Sequence, residues 1–153
     1  MTLWRISNHA DLRGLGGLRA SGRWHTAGRP TVYLAEHPAL CLLEVLAHDV
    51  DAGDLPRTYQ WLKVETERSM RIEDVHELPR AWMTDLESTR TIGNRWLAEA
   101  RTPLLRIPSI VAPESFNYLL NPAHSRARGA RVAKTFAYPL DPRLARGSLG
   151  ALP

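Results

Sequence analysis

Residues 22–48 read GRWHTAGRPTVYLAEHPALCLLEVLAH, and the change of pattern inside them decides the fold. TVYLA (31–35) has the β-branched and aromatic composition of a short strand, set off by Gly28, Arg29 and Pro30. Pro38 stands where a helix tolerates proline, in its first turn, and the composition predicts a helix over 39–48. Apolar residues fill 39–43 and 45–47, a band wider than a surface stripe, which predicts a helix buried on most sides. Glu44 interrupts that band. A buried carboxylate is costly unless paired or hydrogen-bonded, so the fold must give Glu44 a partner or a task. The partner could be structural, His48 one turn later or an arginine; the task would be chemical. Taken singly, Tyr33 reads as a core aromatic and Arg23 as a solvated arginine.

On the N-terminal side, MTLWRIS (1–7) alternates as an opening strand. Trp4 and Ile6 share one face, and Arg5 on the other meets either a phosphate or solvent. Residues 11–19 contain Gly14, Gly16 and Gly17, which predicts a short helix or turn. GLGGLR lacks the last glycine of a dinucleotide fingerprint and no long strand–helix unit surrounds it, so a Rossmann site is excluded. The loop 21–30 suits close approach to a ligand: Gly22 admits the backbone, Arg23 offers a fork and Trp24 a ring face.

Beyond the central stretch, 49–56 is a polar break, and RTYQWLKVE (57–65) alternates as a strand with Tyr59, Trp61 and Lys63 on one side. A short strand or connector follows at 71–77. Residues 84–100 read as a helix with Thr84 as its cap and Glu87 completing a capping box. Ile92, Trp96 and Leu97 form its apolar face, Gly93 weakens its middle and Pro103 ends it. LLRIPSI (104–110) is a buried strand whose end carries Ser109; no G-x-S-x-G surrounds that serine, which excludes a hydrolase triad. FNYLLNP (116–122) brings Asn121 to a turn. The last strand spans 131–140, where Val132, Lys134, Phe136 and Tyr138 alternate, and the tail after Pro142 is expected to fray.

A chain of 153 residues is expected to form one domain, 1–153, with a core that needs no disulfide staples. The lone Cys41 lies in the apolar helix and reads as a small hydrophobe rather than a nucleophile. With no signal peptide and no apolar run near membrane-spanning length, a soluble cytoplasmic protein is expected. The net charge of +4 arises from eighteen arginines and two lysines against sixteen acids. It reflects either a basic surface for a polyanion or compositional bias, and no nucleic-acid-binding motif accompanies it. The six histidines are scattered, without the spacing of metal ligands.

Taken together, these segments resemble the RES domain toxins of bacterial toxin–antitoxin pairs. The resemblance lies in GRW around Arg23, VYLA around Tyr33 and ALCLLEVLAH around Glu44. It continues through TRTIGNRWL (89–97), RIPSIVAPESFNYLLNP (106–122) and His124, and covers nearly the whole chain in order. It implies an α+β domain of the ADP-ribosyltransferase type, with short strands in two packed sheets flanked by helices. It also implies an enzyme that consumes NAD, and a central constellation of Arg23, Tyr33 and Glu44 with Ser109 and Asn121 nearby. The sequence departs from the family pattern at His25, where asparagine is expected, at Asn94, where aspartate is usual, and at Ser125, where proline often follows the histidine.

The residue types suit that chemistry. Breaking the nicotinamide–ribose bond leaves an oxocarbenium-like centre that a carboxylate stabilises, the role open to Glu44. Tyr33 would stack on the nicotinamide, and Arg23 would pair with pyrophosphate or ribose. Ser109, Asn121, Trp24 and Arg5 would complete the NAD pocket. NAD is then a substrate, with no permanently bound cofactor and no metal. Water as acceptor makes a glycohydrolase, phosphate a phosphorylase, and a protein side chain an ADP-ribosyltransferase; NAD depletion is placed ahead of modification of a protein target. The resemblance also implies a cognate antitoxin, usually with a helix-turn-helix region, so that specific DNA binding would belong to the partner. The contrasting class is a basic nucleic-acid-binding module in which Glu44 is structural.

Overall fold

A computed structural model describes residues 1–48, 59–139, 141 and 144. The polar break 49–56 and, apart from Leu144, the tail after Pro142 lie outside the described residues. Along the chain come β1 (Thr2–Ser7), α1 (Gly16–Arg19), β2 (Val32–Ala35), α2 (Pro38–Leu46), β3 (Gln60–Thr66) and β4 (Ile72–Asp74). Then follow α3 (Leu86–Glu99), β5 (Leu104–Pro108), β6 (Phe116–Leu120), a 3-10 turn (Ala127–Gly129) and β7 (Ala130–Phe136).

The strands join in the order β4-β5-β6-β2-β1-β3-β7. Every neighbour is antiparallel except β4 and β5, which are parallel and joined through α3. The mixed α+β class is as expected, but the two packed sheets are one sheet that curls. Curling lets the short strands fill the inner face with their own side chains. Leu3, Val32, Leu34, Leu62, Val64, Leu104, Tyr118 and Leu120 meet there, with Met70 and Leu12 from the connections. Strand alternation sends the intervening residues outward, where the helices lie. α2 packs Leu40 and Cys41 on Ala35, Trp4 and Ile6. α3 places Trp96 over Leu105, Ile107 and Leu119, together with Trp24. Cys41 is buried, and burial pushes its thiol up to about 12, as a packing residue requires.

Two expectations about the helices change. α2 is not buried on most sides: only Leu40 and Cys41 are enclosed, and Leu43 is 48% exposed. One side of the sheet is all that the helix meets, so its second apolar flank faces outward. At α3 the cap is Asp85 rather than Thr84, accepting from Ser88 N at 3.0 Å while Ser88 Oγ donates back at 2.5 Å. Thr84 instead turns its hydroxyl to the Ala81 carbonyl. No described helix is long and apolar enough to cross a membrane.

Candidate functional site

The outer face of the sheet holds two hydrogen-bonded groups side by side. The first forms round Glu44. From the inward side of α2 its Oε1 accepts from Ser109 Oγ at 2.8 Å and from Asn117 Nδ2 at 2.5 Å. Ser109 sits just past the end of β5, where its Oγ accepts from Val111 N at 3.1 Å and Ala112 N at 3.2 Å. Two backbone donors occupy the oxygen, so the single hydroxyl proton goes to Glu44. Ser109 is therefore a fixed donor to the carboxylate, with its oxygen lone pairs turned to the backbone amides of Val111 and Ala112.

The second group forms round Tyr33. Tyr33 and Ala35 point to the same side of β2, opposite Leu119 and Asn117 of β6. That register makes Asn117 the diagonal neighbour of Tyr33, with Cα atoms about 7–8 Å apart. The Tyr33 hydroxyl accepts from Trp24 N at 3.1 Å and pairs with His25 Nδ1 at 2.9 Å. Burial pushes the phenol up to about 12, against the Trp24 amide and the charges of Arg90 and Arg23. It stays protonated through the neutral range. Burial likewise holds the His25 imidazole below its ordinary value, opposed by the backbone of Ala20 and Gly17. Tyr33 thus ties down the loop that carries Arg23.

α3 holds the same loop from above. Thr89 Oγ1 donates to the Arg23 carbonyl at 2.8 Å and Arg90 Nε to the Gly22 carbonyl at 2.9 Å. Asn94 Oδ1 accepts from Thr26 N at 3.1 Å. Gly93 faces Trp24 so closely that a Cβ there would collide with the Trp24 carbonyl. The Arg23 guanidinium donates to Met83 O at 3.0 Å, which leaves most of its five N–H donors for another acceptor. Two of the departures from the family pattern are absorbed locally: His25 receives Tyr33, and Asn94 fastens Thr26.

Among the expected site residues, Glu44 and Ser109 are in contact, while Tyr33 and Arg23 lie on the same sheet face. Three others do not join them. Trp24 is 2% exposed and packs with Trp96 and Trp82, so its ring offers no face to a ligand. Asn121 donates to Leu97 O at 3.1 Å and accepts from Ala123 N at 3.0 Å, which consumes its amide in the turn after β6. Arg5 shares the side of β1 that carries Leu3, away from Trp4 and Ile6 beneath α2, and its guanidinium reaches Asp11 O at 3.5 Å. Sequence reasoning missed Asn117 and Arg90, although both lie in the segments that carry the family resemblance. Among the described residues, no three side chains gather to hold a metal ion.

This arrangement has known counterparts. The sequence matches the RES domain over residues 2–141. It is 46% identical over 133 residues to "Toxin Res" of Pseudomonas putida, covering 86% of this chain and 92% of that one. It is 33% identical over 157 residues to "Prs ADP-ribosylating toxin" of Sphingobium sp., covering 95% and 97%. Its fold superposes with a TM-score of 0.73 on a chain of the crystal structure of the M. tuberculosis MbcT–MbcA toxin–antitoxin complex, covering 95% of this chain and 86% of that one at 18% identity. With a match spanning nearly its whole length and relatives this similar, the chain belongs to the RES domain family.

Proposed function

We propose that this protein is the toxin of a bacterial toxin–antitoxin pair, working as one domain in the cytoplasm. It cleaves NAD at the nicotinamide–ribose bond and arrests growth by depleting it. The observation that carries this reading is the Glu44 carboxylate, with one oxygen held by two donors on the sheet face shared with Tyr33 and Arg23. As the leaving nicotinamide withdraws the bonding electron pair, positive charge grows on the ribose carbon. A preorganised carboxylate beside that carbon lowers the barrier because it needs no reorientation as charge develops. Arg23, with Arg90 near it, supplies N–H donors for the pyrophosphate. Tyr33 keeps the Arg23 loop in place and presents its partly exposed ring to the nicotinamide side. Ser109 orients Glu44. NAD is consumed as substrate, and no cofactor stays bound.

Water or phosphate is the proposed acceptor of the ribosyl group. Transfer to a protein side chain is the second reading. The exposed flank of α2 favours it, since a half-open helix gives no argument for a closed pocket, and so does the name of the Sphingobium relative. A cognate antitoxin is the proposed partner; a helix-turn-helix region on it would bind the promoter, and the toxin alone would hold DNA only through net charge.

Incubating the purified chain with labelled NAD tests both readings. Free nicotinamide should appear without lysate, and faster with inorganic phosphate if that is the acceptor. Glu44→Gln should slow release about 10²-fold or more with the fold intact. A single labelled protein band, with negligible release when lysate is omitted, would put the transferase reading first. An unaltered rate in Glu44→Gln would remove Glu44 from the chemistry.

A further inference from the structure

The two oxygens of Glu44 are used unequally. Ser109 and Asn117 both donate to Oε1, and among the described residues Oε2 takes no hydrogen bond. Oε2 is also absent from the buried atoms left without a partner, so it opens outward rather than into the core. This asymmetry needs an anchor, because Leu40 and Cys41 are the only buried residues of α2 and Leu43 on its other flank is exposed. A long flexible side chain on such a helix would otherwise sample several rotamers, and ordering it costs entropy that a fixed partner must offset. Asn117 is well placed to supply the order. It sits within β6 between Ala35 of β2 and Ile107 of β5, hydrogen-bonded on both sides into the middle of the sheet. Ser109, by contrast, lies beyond the strand end, in a turn held by its own hydroxyl.

We propose that Asn117 is a positioning residue for Glu44. It fixes Oε1 to the centre of the sheet, so that Oε2 alone faces the reacting group. What Oε2 meets, a ribose carbon or its hydroxyl, rests on the NAD-cleavage reading; the clamp itself does not. Asn117 touches no substrate. Its effect passes entirely through the carboxylate, and that separates it from a residue that binds NAD and from one that merely supports β6.

A double-mutant cycle on the full chain tests this, using Asn117→Ala, Glu44→Ala and the pair. Nicotinamide release is followed at a series of NAD concentrations in excess over enzyme, with incubations long enough for slow variants to stay readable. Growth arrest is scored in parallel as the inducer dose for half-maximal effect. Asn117→Ala alone should lower kcat about 10- to 100-fold with KM changed less than about threefold, as a misplaced catalytic group does. In the Glu44→Ala background the same substitution should cost less than about twofold, because no carboxylate remains to be held. Where Asn117→Ala fails to fold, Asn117→Asp keeps the shape, removes the donor and should lose at least as much activity. An equal loss in both backgrounds, or a raised KM at unchanged kcat, overturns the proposal. Coupling seen in growth arrest without nicotinamide release from the unaltered chain would keep the clamp and sink the NAD reading.

Discussion

α2 and α3 lie on the same face of the sheet and invert what their compositions suggest. α2, PALCLLEVL, is almost wholly apolar, yet it buries only Leu40 and Cys41. α3, LESTRTIGNRWLAE, is rich in polar residues, yet Thr89, Gly93 and Trp96 are all buried. The difference is in their neighbours. α2 meets the sheet on one side only. α3 meets the sheet below and the Gly22–Thr26 loop beside it, and that loop offers bare backbone carbonyls. A hydroxyl and a glycine match such a surface better than leucine does: Thr89 donates to one carbonyl, and Gly93 lets another approach. Apolar content therefore measures what a helix can bury, and partner shape decides what it does bury. One helix presents a carboxylate; the other fixes a loop.

That contrast can be broken at its tightest point. Gly93→Ala places a methyl against the Trp24 carbonyl and should destabilise the protein by about 3 kcal/mol. The melting temperature should fall by roughly 10 °C, read by circular dichroism. A neutral result would mean that α3 does not seat on the loop. Thr89→Val keeps the volume and removes the donor to Arg23 O, at a cost of about 1–2 kcal/mol in urea unfolding. It should also raise KM for NAD more than it lowers kcat, because the Arg23 loop loosens while Glu44 stays in place.

Acidification sharpens the same boundary from beneath the loop. The His25 imidazole is held below its ordinary value when folded, so the unfolded chain binds the proton first as pH falls. His25 therefore contributes stability that is fully present above the unfolded value, near 6.5, and lost as pH drops through the lower folded one. The urea midpoint should fall more between pH 7.5 and 5.5 in the unaltered chain than in His25→Asn; equal slopes would place the imidazole in water. The smallest effect belongs to α2. Leu43→Ser should change stability by no more than about 0.5 kcal/mol, and a loss near 2 kcal/mol would show that the outer flank is covered.

The sequence made much of this legible where local pattern and final neighbours agree. VYLA alternates because one side of β2 fills the curled interior and the other faces the helices. A carboxylate inside ALCLLEVLAH announces that something must hold it, and Ser109 does. The partner that composition cannot reveal is Asn117. In FNYLL it is an ordinary strand residue, and only pairing with Ala35 and Ile107 brings it beneath Glu44. Asn121, four residues later, carries the stronger local signal because it precedes a proline, and that signal marks a turn, which is where its amide is spent. Trp24 looked like a ligand platform because its loop is rich in glycine and arginine. Nothing local says that α3 will close over it.

The single thiol offers a consequence of a different kind. Cys41 is buried on the sheet-facing side of α2 with its pKa pushed up to about 12, so at neutral pH almost none of it is the thiolate that alkylating reagents attack. In an unfolded chain the same side chain reverts to ordinary reactivity. The protein therefore carries its own label for the opening of α2: iodoacetamide should mark molecules in which that helix has lifted, at a rate set by how often it lifts. Because Glu44 lies one turn beyond Cys41, that rate also reports how often the carboxylate leaves the reach of Ser109.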